Sequence, residues 1–221
     1  MSESHVDRIL SRESMETVGH EVGVFFLFDN QSETLIQHHV EHLRESVELA
    51  SFVDALRQPH ISLFQGSFPH ELSVNTLQNI VQKIVEKLNL SEVEMEEKYM
   101  VRPNGNIFWN VKSTELLFEL HNELLKELQP FTEGLLMQQF QEILDESETP
   151  QTDREQIMTY GSLLAGPSFL PHITLGKLKD ISDKNSVLEI EIPAAKIKLG
   201  PLQMGEIRKD GSVSSARLNN G

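Results

Sequence analysis

The 221-residue chain has no cysteine. Disulfides, thiol nucleophiles and thiolate-ligated metals are therefore excluded, and the absence agrees with a cytoplasmic protein. Long hydrophobic stretches are missing as well. The most apolar run, Val22–Phe28, is far too short to cross a bilayer. Residues 1–20 are polar and of mixed charge, without the apolar centre of a signal peptide. Positive charge is scarce: 19 Lys and Arg stand against 34 Asp and Glu, a formal net charge of −15. Such a field repels polyanions and offers no footprint for long nucleic acid, although a small phosphate ligand in a local pocket stays allowed. Neither a Gly-x-x-x-x-Gly-Lys loop nor a Gly-x-Gly-x-x-Gly turn occurs, which removes the usual phosphate-cradling routes to nucleotide hydrolysis. The expectation is a soluble, cytoplasmic monomer with a small ligand and no membrane partner.

What the chain does contain is one short stretch written twice. Residues 59–63 read Pro59-His60-Ile61-Ser62-Leu63, and residues 171–175 read Pro171-His172-Ile173-Thr174-Leu175. Only nine histidines are present, so two with the same neighbours are informative. A short apolar run beside a proline reads as the start of a strand. Residues two apart on a strand share a face. His60 and Ser62 then point one way and Ile61 and Leu63 the other; the second copy does the same. Two facing copies supply an acid, a base and two hydroxyl donors. That set suits a phosphodiester and requires no metal or other cofactor.

The doubled His-x-Ser/Thr pattern resembles the 2H phosphoesterase superfamily, and within it the 2′-5′ RNA ligase/cyclic phosphodiesterase group. Val22–Asp29 resembles that group's opening strand, Ile107–Val111 its mid-chain strand, Phe118–Leu128 the helix before the second motif, and Phe169-Leu170-Pro171-His172 the approach to it. The resemblance spans roughly residues 20–210. It implies hydrolysis of a cyclic or 2′-5′-linked nucleotide or RNA-end phosphodiester, with His60 and His172 as acid and base and Ser62 and Thr174 as donors to phosphate oxygens. It also implies a phosphate-contacting cation at Lys177, where arginine is the commoner residue. Strand parity puts Lys177 on the wrong side of His172 unless a bulge intervenes. Tyr160, Phe64 and Trp109 can stack a base or pack in the core. The alternatives are 2′-5′ RNA ligation or RNA-end processing, and a nucleotide-binding module without turnover.

The order of elements predicts an α+β fold: two pseudo-symmetric lobes of antiparallel sheet with outer helices, and an active-site cleft between them. Residues 1–20 read as an extension, 21–210 as the bilobal domain, and 211–221 as a tail. Helices are expected over Glu33–Leu49, Asn75–Leu88 and Thr114–Leu128, the last with Leu116, Leu117, Leu120, Leu124 and Leu128 on one side. Asn104-Gly105 signals a hairpin between Val93–Val101 and Ile107–Lys112. Residues 130–158 read as an insertion, helical over Leu135–Leu144 and a mobile loop over Asp145–Glu155. Strands are expected at Val187–Ile192, Ala195–Leu199 and Gln203–Arg208, the last turning at Asp210-Gly211. His38-His39-Val40-Glu41-His42 matches a zinc-protease pattern, but helical geometry turns His38 and His42 away from the stripe of Ile36, Val40, Leu43 and Val47.

Overall fold

The computed structural model describes residues 19–54, 57–86, 90–112, 115–208 and 212–214. Leu88, the Asp210-Gly211 turn, nearly all of the N-terminal extension and most of the tail lie outside them. Strand β1 (Gly19–Phe28) leads to α1 (Asn30–Ser46), β2 (Leu49–Phe52) and β3 (Ile61–Pro69). Helix α2 (Val74–Val85), the hairpin β4 (Glu92–Val101) and β5 (Asn106–Val111), and α3 (Glu115–Leu128) follow. Helices α4 (Gln138–Asp145) and α5 (Gln151–Tyr160) precede β6 (His172–Leu178). The short α6 (Lys184–Leu188), the long β7 (Ala195–Ile207) and β8 (Val213–Ser214) complete the described chain.

Local chemistry sets these bounds. The Asp29 carboxylate accepts the Ser32 N–H at 2.8 Å and starts α1. Gly105, at φ +85°, closes the β4–β5 turn in a conformation that suits glycine. Helix α3 buries Leu117, Leu120, Leu124 and Leu128, whereas Leu116 is 43% exposed and lies off the stripe.

Every strand pairing is antiparallel. The order β1-β3-β6-β5-β4-β7 returns to β1, because β7 pairs with β4 through Ala195–Lys198 and with β1 through Leu199–Glu206. The two halves of the sheet, β1/β3 and β5/β6, therefore meet directly at β3–β6 and are also tied through β7. One face packs on α1, α2 and α3 around the main core, which includes Val24, Phe26, Ile61, Leu63, Trp109, Ile173 and Leu175. On the other face Phe25, Leu27 and Ile207 pack under α4 and α5 with Met137, Phe140 and Ile157.

Four segments depart from the sequence expectation. Strand β3 runs through Gly66 to Pro69, although a glycine and a proline there read from sequence as the strand's end. Residues 145–155 are not a mobile loop: α5 begins at Gln151, and the Arg154 guanidinium donates to the carbonyls of Leu144, Glu146 and Thr149, fastening the α4–α5 connection. Val187–Ile192 is not a strand. Strand β4 has β5 and β7 on its two edges, so this segment has no place beside it and instead buries Val187 and Ile192 in the main core. Gly200-Pro201 does not divide β7, since the pair sits where the strand changes partner from β4 to β1 and no ladder N–H is required of Pro201.

Candidate active site

The site is built on the junction of β3 and β6. These strands touch through the pair Ile61–Ile173, and both isoleucines are fully buried. Antiparallel register about that pair sets Ser62 across from His172 and Thr174 across from His60. The four polar side chains lie on the opposite face from the isoleucines and line one cavity of about 260 Å³.

The two imidazoles are held in the same way. His60 Nδ1 donates to the Gln58 carbonyl at 2.9 Å, and His172 Nδ1 to the Leu170 carbonyl at 2.7 Å. A carbonyl only accepts, so Nδ1 carries the proton in both rings and Nε2 is left bare as a base. Each ring also rests against a phenylalanine of the flanking strand. Phe25 lies at a 5.5 Å centroid distance from His60, and Phe108 stacks on His172 at 3.6 Å. Those phenylalanines occupy equivalent ladder positions, Phe25 opposite Ser62 and Phe108 opposite Thr174. Burial lowers the pKa of both histidines. For His172 the drop reaches about 4, the positive charges of His60 and Arg102 adding to desolvation. Each proton on one ring thus disfavours a proton on the other, and the pair tends to hold one at a time.

Both motifs end in a β-bulge. Val24 and Phe25 pair with Phe64 and Ser62, leaving Leu63 extra. Ile107 and Phe108 pair with Gly176 and Thr174, leaving Leu175 extra. A bulge reverses strand parity. Gln65 and Lys177 consequently share the faces of Ser62 and Thr174, which removes the parity objection to Lys177. Gln65 Nε2 donates to Ser62 Oγ at 3.1 Å. Lys177 is exposed and lines a second cavity of about 450 Å³ with Arg57; this cavity shares His60, Thr174, Asn106 and Gln139 with the first.

Of the three aromatic candidates, Phe64 alone borders the cavity. Trp109 is 0% exposed, packs on His39 at a 4.1 Å centroid distance, and satisfies its indole N–H on the Glu96 carbonyl. Tyr160 is half-buried against the core with its ring over Gly166, where an added Cβ would meet it at 2.5 Å. Phe64 borders the cavity but is buried and packs on Phe68, because the bulge at Leu63 turns it coreward. The aromatic rings beside the histidines are Phe25 and Phe108, and the only sequence signal for them was their place on strands flanking the motifs. Arg102, Asn104 and Asn106 from the hairpin turn, Gln139 from α4 and His121 from α3 also line the cavity and were not foreseen. For His121 the signal was a histidine interrupting the leucine stripe of α3. His38 and His42 are exposed, and no group of three metal-ligating side chains forms among the described residues.

No family model matches the chain, and no curated protein matches it. Among solved structures it is similar to E. coli LigT in its apo form, with 12% identity, 89% of this chain and 92% of that chain covered, and a TM-score of 0.47. It is also similar to Kluyveromyces marxianus Usb1, with 12% identity, 90% and 99% of the two chains covered, and a TM-score of 0.43. Among the described residues no helix is long and apolar enough to cross a membrane.

Proposed function

We propose that the protein is a metal-independent phosphodiesterase that hydrolyses a cyclic or 2′-5′-linked nucleotide or RNA-end phosphodiester. The observation that carries this reading is the matched pair of imidazoles: two rings in one cavity, each with Nδ1 tied to a carbonyl two residues back. With a 2′,3′-cyclic phosphate bound, neutral His172 takes a proton from water as the water oxygen bonds to phosphorus. Protonated His60 donates to the ribose oxygen as its bond to phosphorus breaks. One water is consumed and a phosphomonoester results. His172 is assigned the base because burial, with smaller contributions from the charges of His60 and Arg102, keeps it neutral. Ser62 and Thr174 donate to the non-bridging oxygens, where charge builds. The Ser62 hydroxyl accepts from Gln65, so its own proton is free for the phosphate. Lys177 supplies positive charge from the adjoining cavity, as a point charge and not a bidentate fork.

A second reading is 2′-5′ RNA ligation or RNA-end processing. The adjoining cavity favours it, because it continues past His60 and Thr174 and has room for a second nucleoside. Turnover measured in EDTA with 2′,3′-cyclic nucleotides, 2′-5′ oligoadenylates and tRNA fragments separates the readings. Hydrolysis of the cyclic or 2′-5′ substrates is expected. Activity that disappears on chelation and returns with added metal overturns the metal-free mechanism, and tight binding without turnover leaves a nucleotide-binding module.

A further inference from the structure

His121 is buried in α3, 1% exposed, yet belongs to neither motif. Its ring joins three points. Nδ1 lies 2.6 Å from the carbonyl of Leu63, the bulge residue that follows Ser62. Nε2 accepts the Gly166 N–H at 2.8 Å. The ring stacks on Phe169 at a 3.9 Å centroid distance and an interplanar angle of 3°. Gly166 sits at φ +55° on the rim segment that leads through Phe169 and Leu170 to His172, and the Leu170 carbonyl is the one that holds His172 Nδ1. A continuous path therefore runs from the bulge of the first motif to the ring of the second, and one imidazole is its middle. The partners leave a single protonation state. Leu63 offers only an acceptor and Gly166 only a donor, so Nδ1 carries hydrogen and Nε2 is bare. In the second motif the bulge carbonyl of Leu175 is taken by a backbone group, the Val53 N–H at 3.0 Å.

We propose that His121 is a positioning residue that fixes the two motifs relative to one another, holding the Leu63 bulge and the Gly166–Leu170 approach in register only while its ring is neutral. This rests on the paired-histidine reading above. A proton on Nε2 would set two donors against each other at Gly166 and release the rim. Burial lowers the pKa of His121 from its ordinary value, which favours the neutral form that these two hydrogen bonds require. The groups facing its ring are the Leu63 carbonyl, the Gly166 N–H and Phe169; His60, His172 and Arg102 are titratable or charged groups that line the same cavity.

The test uses the full chain with His121→Phe and His121→Gln. Phenylalanine keeps the stack on Phe169 and loses both hydrogen bonds. Glutamine can keep a donor toward Leu63 and an acceptor toward Gly166 but does not titrate. His121→Phe is expected to lower kcat on a 2′,3′-cyclic nucleotide by about 10–100-fold with a smaller change in KM, the scale of a misplaced reacting group. His121→Gln is expected to recover most of kcat. Independently of turnover, the backbone amide signals of residues 62–64 and of Gly166, Ser168, Phe169, Leu170 and His172 should shift together in His121→Phe, and the Gly166 amide should titrate in the wild type but not in His121→Gln. Wild-type kcat in His121→Phe, or amide shifts confined to one motif, overturns the proposal. So does a loss of kcat that follows loss of melting temperature equally in both variants, which leaves His121 structural only. If no substrate turns over while the coupled amide shifts appear, the phosphodiesterase reading fails and the positioning role stands.

Discussion

In the first motif a side chain, His121, holds the bulge carbonyl; in the second a backbone amide, that of Val53, does so. Three residues past each hydroxyl, the first motif has Gln65 and the second Lys177. Two residues beyond each phenylalanine, the first half has Leu27 under the α4–α5 insertion and the second has buried Asn110 beside His172 in register. Between these differences the backbone is repeated: the carbonyl two residues back, the phenylalanine on the flanking strand, the extra leucine. The repeated part places two equal imidazoles, and equal imidazoles cannot by themselves divide the roles of acid and base. Under the proposed mechanism the division would come from unequal surroundings: deeper burial of His172 first, with a smaller contribution from the Arg102 charge.

The largest break in this comparison comes from removing either ring. His60→Ala and His172→Ala should each lower kcat by roughly 10²–10⁴. The double variant should be little worse than either single one, because the two act in one proton-transfer step. Multiplied losses, read from single-turnover rates in EDTA, would show that the rings work in separate steps.

Next in size are the hydroxyls. Ser62→Ala and Thr174→Ala should each cost at most about 10²–10³ in kcat and leave melting unchanged, since both face the cavity. Ile61→Asp is the contrast: on the opposite face of the same strand it places an unpaired charge in the core and should destabilise by the order of 4 kcal/mol. Thermal melting of Ser62→Ala beside Ile61→Asp checks which face is which.

A smaller effect separates the halves by acid stability. His172 and His39 have folded pKa values near 4 against 6.5 in the unfolded chain. Below pH 6.5 the unfolded chain takes up protons that the folded chain refuses, so stability falls as pH drops from there toward 4. Each such group contributes up to about 1.4 kcal/mol per pH unit within that window. Denaturant melts at stepped pH should show His172→Ala flattening this slope relative to the wild type.

The finest test concerns Arg102. Arg102→Met removes a charge that lowers the His172 pKa, so that pKa rises. If His172 is the base, the acid limb of the kcat/KM profile moves to higher pH. An unmoved acid limb, with a displaced alkaline limb, would exchange the roles of the two histidines.

Much of this arrangement was legible because local chemistry decides it. Asp29 caps, Asn104-Gly105 turns, and Pro-His-Ile begins a strand in either half. The motif side chains could be assigned to one face by counting in twos, up to the leucine where counting fails. The bulges at Leu63 and Leu175 depend on the strands opposite, and with them went the placement of Phe64 and Lys177. Helix α5 was hidden because Ile157 is its only buried residue and Pro150, which stands at its N-terminus, reads equally as a loop. The unity of β7 was hidden for a related reason: Gly200-Pro201 forbids a strand that keeps one partner but permits one that changes it. His121 and Phe108 are long-range matters, bringing together residues 58 positions apart in one case and two strands of the other half in the second.

The closure of the sheet by β7 also governs when the molecule can finish folding. Val22 pairs with Glu206, so one edge of β1 waits until residue 206 has been synthesised, at roughly 5–20 residues per second. Its other edge can join β3 much earlier, after only the α1 and β2 segments have been made. Pairing over such a span is slow in any case, because the intervening chain must be ordered first. During that interval Val22–Phe28 presents apolar side chains beside a bare row of backbone donors and acceptors, the form of strand most open to capture by a neighbouring chain. The acidic excess of the sequence then acts in time as well as in space, since mutual repulsion between unfinished copies keeps that edge vacant until its own partner arrives.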